Sequence, residues 1–299
     1  MTEHASGSNL TINVKGLSEP LTKLIECVSK GIGKLYEPTG KLRDAKATAQ
    51  ASLILAQGEI QKQDLLTRAA HRLAYTEARR QEIIEAITEE AKQYLPKTVS
   101  AEPVSEDWVV QFFDCCKGVG QREMQELWAR ILAGEVAGPG TFSRRTLEIL
   151  KTFDRDDAEA FTRFCAVSFG HSKARHFAFQ TTATADTLNS NSDDWGIEAH
   201  LASIGLLEVE GTMYGASKLD GWEINYFGQR YHISAPVTPL FHEIEQPISV
   251  RYFTAVGEEL VKVVSATALP HFVEIQAKEL SSQWLIELRI LDNVQKPVS

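Results

Sequence analysis

Apolar side chains recur at spacings of three and four from Leu17 onward: Leu17, Leu21, Leu24, Ile25, Val28, Ile32 and Leu35. That period sets them on one face of an amphipathic helix over 17–36. Gly31 and Gly33 weaken its last turn, and Pro38 and Gly40 stop it. A second periodic stretch runs from Leu42 to Leu95. Leu53, Ile54, Ile60, Leu65, Leu66, Leu73, Ile83, Ile84 and Ile87 are among its apolar positions, and no proline occurs before Pro96. Unbroken, about 50 residues at about 1.5 Å rise would reach about 75 Å, too far for one core. The repeat is not a strict heptad. The stretch is therefore expected to fold back near Gln57–Gln63, beside its only glycine, Gly58, or to pair antiparallel with another copy.

Residues 96–105, PKTVSAEPVS, have two prolines and no period, which predicts a linker. A run of helices follows. Ser105 caps one with Trp108, Val109, Phe112 and Phe113 inward. The next, Gln121–Ala133, ends at Gly134. Ser143 caps a third to Phe153, and Asp154 caps a fourth, Arg155–Phe169. Residues 127–150 thus read as a helical hairpin with Pro139 and Gly140 in its turn. After Gly170 the texture changes: a helix over 193–207, alternating runs at 206–211, 222–228, 229–234 and 248–253, a helix capped by Thr254, another opened by Pro270, and a last strand at 284–291. The expected fold is α+β and predominantly helical. It has a long N-terminal helical hairpin, a central helical bundle and a C-terminal winged-helix-like α+β module. The divisions expected are a flexible lead at 1–16, an elongated oligomerisation region at 17–96, the bundle at 105–169 and the α+β module at 170–299.

The series GKLYEPTGKLRDAKA, RRQEIIEAI, LWARILAGEVAGPGTFSRRTLEIL, IGLLEVEG and FTAVGEELVKVV resembles a family of uncharacterised bacterial proteins with a domain of unknown function, over most of residues 17–265. The C-terminal two-thirds is also similar to the abortive-infection alpha family, whose members resemble proteins of prophages and phage-defence loci. The resemblance implies an antiviral or toxin-like role. It implies no reaction, ligand or catalytic residue, and carries over only the motif positions Trp128, Arg130, Glu135, Pro139, Ser143 and Leu147.

Composition narrows the function classes. The chain has 299 residues, 43% of them hydrophobic, and a net charge of −9. That balance opposes a general nucleic-acid coat. No apolar run is long enough for a signal peptide or a membrane span. Cys27, Cys115, Cys116 and Cys165 form no Cys-x-x-Cys pair and sit in apolar stretches, which suits buried free thiols and a cytoplasmic home. The two histidines of HSKARH are five apart, and His-Glu-x-x-His and Gly-x-Ser-x-Gly are absent, so no metal, no cofactor and no catalytic residue is expected. GIGK at 31–34 lacks the strand and the Ser/Thr of a phosphate loop.

Interaction residues are expected at Trp128, Arg130, Glu135, Ser143, Arg144 and Arg145, with a basic loop at His171, Lys173, Arg175 and His176. Glu126 and Arg130, four apart, make an ordinary helical ion pair. Glu135 is expected to bond backbone N–H groups of the Ser143 helix or to pair with Arg144. Helices 143–153, 155–169 and 193–207 followed by a hairpin at 222–234 have the order of a winged helix. The third helix carries Asp193, Asp194 and Glu198 and no Lys or Arg, so it suits a protein partner better than DNA. The expected function is antiviral defence through self-association and macromolecular binding. The partners would be another copy and an unidentified protein, phage-derived in one version. One alternative is a membrane-directed effector using the 17–36 helix, where Lys23, Lys30 and Lys34 lie opposite the apolar stripe. The other is a winged-helix DNA-binding regulator.

Overall fold

Trp108, Phe112, Phe113 and Trp128 close the core of a helical unit. Trp108 stacks on Phe112 with ring centroids 5.1 Å apart, and Trp128 meets Phe112 edge-on at 5.3 Å. The computed structural model describes residues 18–32, 60–171, 175–188, 196–235 and 247–291. The expected lead over 1–16, the stretch carrying Leu53 and Ile54, the fold-back at Gly58, Lys173, and Asp193 and Asp194 lie outside the described residues. Two compact units divide the chain between Phe142 and Ser143.

Unit 1 contains α1 (Glu19–Ile32), α2 (Ile60–Ala91), a 3-10 turn (Lys92–Tyr94), α3 (Glu106–Cys116) and α4 (Arg122–Ala137). Helix α1 packs on α3 and α4, and α2 packs on α4. Leu24, Ile25, Cys27 and Val28 of α1 are buried, so the apolar face offered above to a membrane is covered by its own unit. Gly31 does more than loosen a turn: a Cβ there would come within 2.3 Å of Val109 Cγ1, so its lack of a side chain lets α1 approach α3. Gly134 does not end its helix. Helix α4 runs through it to Ala137, and a Cβ at 134 would lie 2.8 Å from the Phe142 ring. The glycine makes room for a ring rather than a stop. Residues 96–105 are pinned: Ser100 N donates to Ala137 O at 2.8 Å, and Ser100 O accepts from Lys23 Nζ at 2.6 Å.

Unit 2 contains α5 (Arg144–Leu150), α6 (Arg155–Ala166), β1 (Gly170–His171), β2 (Phe177–Phe179), α7 (Thr182–Leu188), α8 (Ile197–Ser203), β3 (Thr212–Tyr214), α9 (Ala216–Leu219), β4 (Glu223–Tyr226), β5 (Gln229–Ser234), β6 (Ile248–Tyr252), α10 (Ala255–Leu260), α11 (Phe272–Trp284) and β7 (Glu287–Ile290). Asp154 and Asp157 form a reciprocal capping box that opens α6. The β4–β5 hairpin turns at Phe227 and Gly228, both at positive φ (46° and 88°), the geometry of a tight two-residue loop. All strand pairs are antiparallel, in one sheet of order β1-β4-β5-β7 and another of order β2-β6-β3.

The second sheet makes the module winged-helix-like. Along the chain come helix α6, strand β2, helices α7 and α8, then strands β3 and β6, with β6 central. The elements differ from the sequence expectation in two places. The middle helix is α7, not 155–169, and the wing strands are β3 and β6, while the 222–234 hairpin belongs to the other sheet. Helix α7 escapes sequence reading because its Thr-rich run is held from outside. Glu279 of α11 accepts from Thr182 N and Ala183 N at 2.9 and 2.8 Å, and buried Gln276 accepts from the Thr181 and Thr184 hydroxyls.

Candidate functional site

The expected interaction residues fall in both units. In unit 1, Trp128 is fully buried in the aromatic core, so its side chain offers no surface. Arg130 donates to Glu126 Oε1 at 2.5 Å, with its guanidinium 4.9 Å from the Tyr94 ring centroid, and the Tyr94 hydroxyl donates to the same carboxylate at 3.0 Å. The Tyr94 hydrogen bond, and then Arg130, hold the Glu126 carboxyl below its usual range. This trio ties α4 to the 3-10 turn that ends α2. Glu135 is 2% exposed and accepts from Gly140 N at 2.7 Å and Phe142 N at 2.9 Å. It clamps the turn after α4, close to the backbone role expected of it, but the donors precede the Ser143 helix.

In unit 2, Ser143 caps α5 by accepting from Thr146 N at 3.3 Å. Its own N–H donates to Glu259 at 2.6 Å, and the Thr146 hydroxyl donates to the same oxygen at 2.5 Å. Arg144 and Arg145 are exposed in the first turn of α5. The basic loop is matched by acids. Arg175 reaches Glu208 at 2.5 Å and Phe253 O at 3.0 Å. His176 Nδ1 lies 2.8 Å from Glu258, which also accepts from His176 N. His171 sits edge-on to Trp222 at 4.6 Å.

Among the described residues, no group of three or more His, Cys, Asp or Glu could hold a metal ion. Cys27, Cys116 and Cys165 are poor nucleophiles as they stand. Burial pushes Cys27 up to about 12 and raises Cys116 and Cys165 further, so each stays protonated. Glu135, Glu258, Glu259 and Glu279 each accept backbone N–H groups. Their oxygens hold a turn, two helix starts and the entry to strand β2.

Two surfaces stand out among the described residues. The first is the α8 face of the winged-helix-like module. Leu201 anchors α8 inward, while Ala199, His200 and Ser203 are exposed. Ile197–Ser203 contains no Lys or Arg. Glu198 accepts from Gln180 at 2.8 Å and Arg251 at 3.4 Å, and His200 Nε2 lies 2.6 Å from Asp157. Beside the helix is a groove of about 590 Å³, lined by Gln180, Leu188, Ile197, Ala202, Val209 and Arg251 among others. Sequence reading found the helix but not the groove, because α7 is not legible from its own residues and β6 comes from a distant segment.

The second surface, in unit 1, is the N-terminal half of α2. Leu65, Leu66 and Leu73 are 62%, 68% and 62% exposed. Ile83, Ile84 and Ala91, eighteen residues further along, are buried. Eighteen residues are five turns of about 3.6, so both sets lie on one continuous stripe.

The family model for proteins of unknown function (DUF2806) matches residues 67–276, more than half of the chain. The chain belongs to this family, and the match takes in most of α2 and the whole α7–α8–β6 groove. No curated protein and no solved structure matches it. No helix among the described residues is long and apolar enough to cross a membrane.

Proposed function

We propose that this member of the DUF2806 family is a non-catalytic protein-binding component of bacterial antiviral defence, with the α8 face of unit 2 as its recognition element. The observation that carries the reading is α8 itself. It occupies the position that reads the DNA major groove in a winged helix, yet from Ile197 to Ser203 it carries no Lys or Arg, and its histidine, His200, is engaged by Asp157. Its carboxylate, Glu198, is held by Gln180 and Arg251 at the rim of an apolar groove. Such a surface favours apolar side chains of a protein over a polyanion. The defence part is supported by the resemblance to the abortive-infection alpha family, an associational warrant. Four free, buried cysteines support action in a reducing cytoplasm. The exposed leucines of α2 support a second contact with a partner chain.

A photocrosslinking residue placed at Ala199, with a second at exposed Ile275 of α11 as control, tests the reading in phage-infected cells. The expected result is a discrete protein adduct from position 199 alone. An adduct with nucleic acid at 199, or duplex DNA binding that falls steeply with salt, would replace it by the DNA-binding regulator. Unchanged plaque counts across a phage panel, with and without the chain, would remove the defence part and leave the binding part standing.

A further inference from the structure

The charges of α2 are arranged against its own dipole. Its first turn holds no acid and its last turn no base. Within residues 64–76 Arg68 and Arg72 stand against Asp64, which pairs with Arg68 at 3.1 Å, while Glu82, Glu85, Glu89 and Glu90 crowd the inner half. A free helix is stabilised by the opposite order. Arg68 and Arg72, four apart, line one edge of the exposed leucine stripe, and Arg79 continues that edge toward Gly120, beside which its guanidinium lies. The inner half of that stripe packs against a helix, α4. The outer half therefore presents a helix-packing face with a small residue, Ala69, at its centre and cations along its side.

We infer that the outer half of α2, residues 64–76, is a docking surface for an acidic amphipathic helix of another protein. Charge separates this occupant from the nearer ones. A second copy laid antiparallel about Ala69 sets Leu65 opposite Leu73 of the other chain, but it also puts the arginine edges of the two copies side by side, with Arg68 two residues from the level of the other copy's Arg72, like against like. The preceding stretch of this chain, 41–57, carries Lys41, Arg43 and Lys46 against Asp44 and so has the same sign as the surface. An acidic helix answers the stripe and the arginine edge together. A lipid surface fits less well, because the stripe is narrow and its neighbouring aromatic, Tyr75, stands away from it.

The test uses the full chain and two synthetic helical peptides with the same leucine–alanine seam, one edged by glutamates and one by lysines. The glutamate peptide is expected to bind at least about tenfold more tightly, with the gap closing in high salt. Leu65→Gln/Leu66→Gln/Leu73→Gln should bind neither peptide, and Arg68→Glu/Arg72→Glu should reverse the preference, with circular dichroism checking that each variant keeps its helix content. Rescue by the opposite peptide is an effect that misfolding does not produce. Equal binding of the two peptides, or binding of neither, overturns the inference. So does a dimer of the chain alone that the leucine variant abolishes. Tighter capture by phosphatidylserine vesicles or poly-uridine than by the acidic peptide assigns the surface to that polyanion instead. The α8 crosslinking result is independent of all these outcomes.

Discussion

The two halves of α2 carry one apolar stripe and meet different surroundings. Ile87 and Ala91 are fully buried, while Leu66 and Leu73, on the same side of the same helix, stand mostly in solvent. The difference lies in the neighbour. Helix α4 has 16 residues and α2 has 32. At about 1.5 Å per residue the cover ends roughly halfway along. A hydrophobic period therefore announces that a face is built for contact; the length of the element beside it decides whether the contact is internal. The outer leucines are also where the helix turns basic, so pattern and charge change meaning at the same place.

The largest effect should come from the covered half. Ile87→Ala removes a fully buried side chain and should lower the unfolding free energy by about 2–5 kcal/mol in denaturant titration. A loss under about 1 kcal/mol would mean that the inner stripe is no core. A smaller effect should come from the cover itself. Glu126 sits on α4, and the Tyr94 hydroxyl and Arg130 depress its pKa. A carboxyl depressed on folding adds stability above its unfolded value of about 4.3, and that stability is lost as pH falls through the folded value. Glu126→Gln should flatten the stability curve on the acid side of about pH 5. The side chain is 42% exposed, so the change should stay under about 1 kcal/mol. The smallest effect belongs to the bare half: Leu66→Gln should shift stability by no more than about 0.5 kcal/mol in the same titration. A drop near that of Ile87→Ala would show the outer stripe to be covered within the chain.

Much of the architecture can be read from local pattern, and the exceptions have physical causes. The amphipathic periods of α1, α2 and α3, the caps at Ser143, Asp154 and Thr254, and the glycine turn at 227–228 all act within a few residues of their own position. Gly134 misleads because its neighbour is a ring eight residues on, reached through the turn that Glu135 clamps. Helix α7 is missed because its first N–H groups are held by a carboxylate almost a hundred residues away. Trp128 is singled out by its motif and turns out to be core. The α8 groove needs α7, α8 and β6 at once, and no window of sequence contains all three.

Among the described strands, the central strand β6 pairs across the longest stretch of chain. It pairs Tyr252 with Phe177 on one side and Ile248 with Tyr214 on the other, and between β3 and β6 the chain first makes the β4–β5 hairpin of a different sheet. Closing such a span costs loop entropy before any ladder rewards it, whereas the helices of unit 1 grow from near neighbours. The wing should accordingly be a late event as the polypeptide folds. A nascent chain released from the ribosome before Tyr252 emerges would carry α8 with no middle strand behind it.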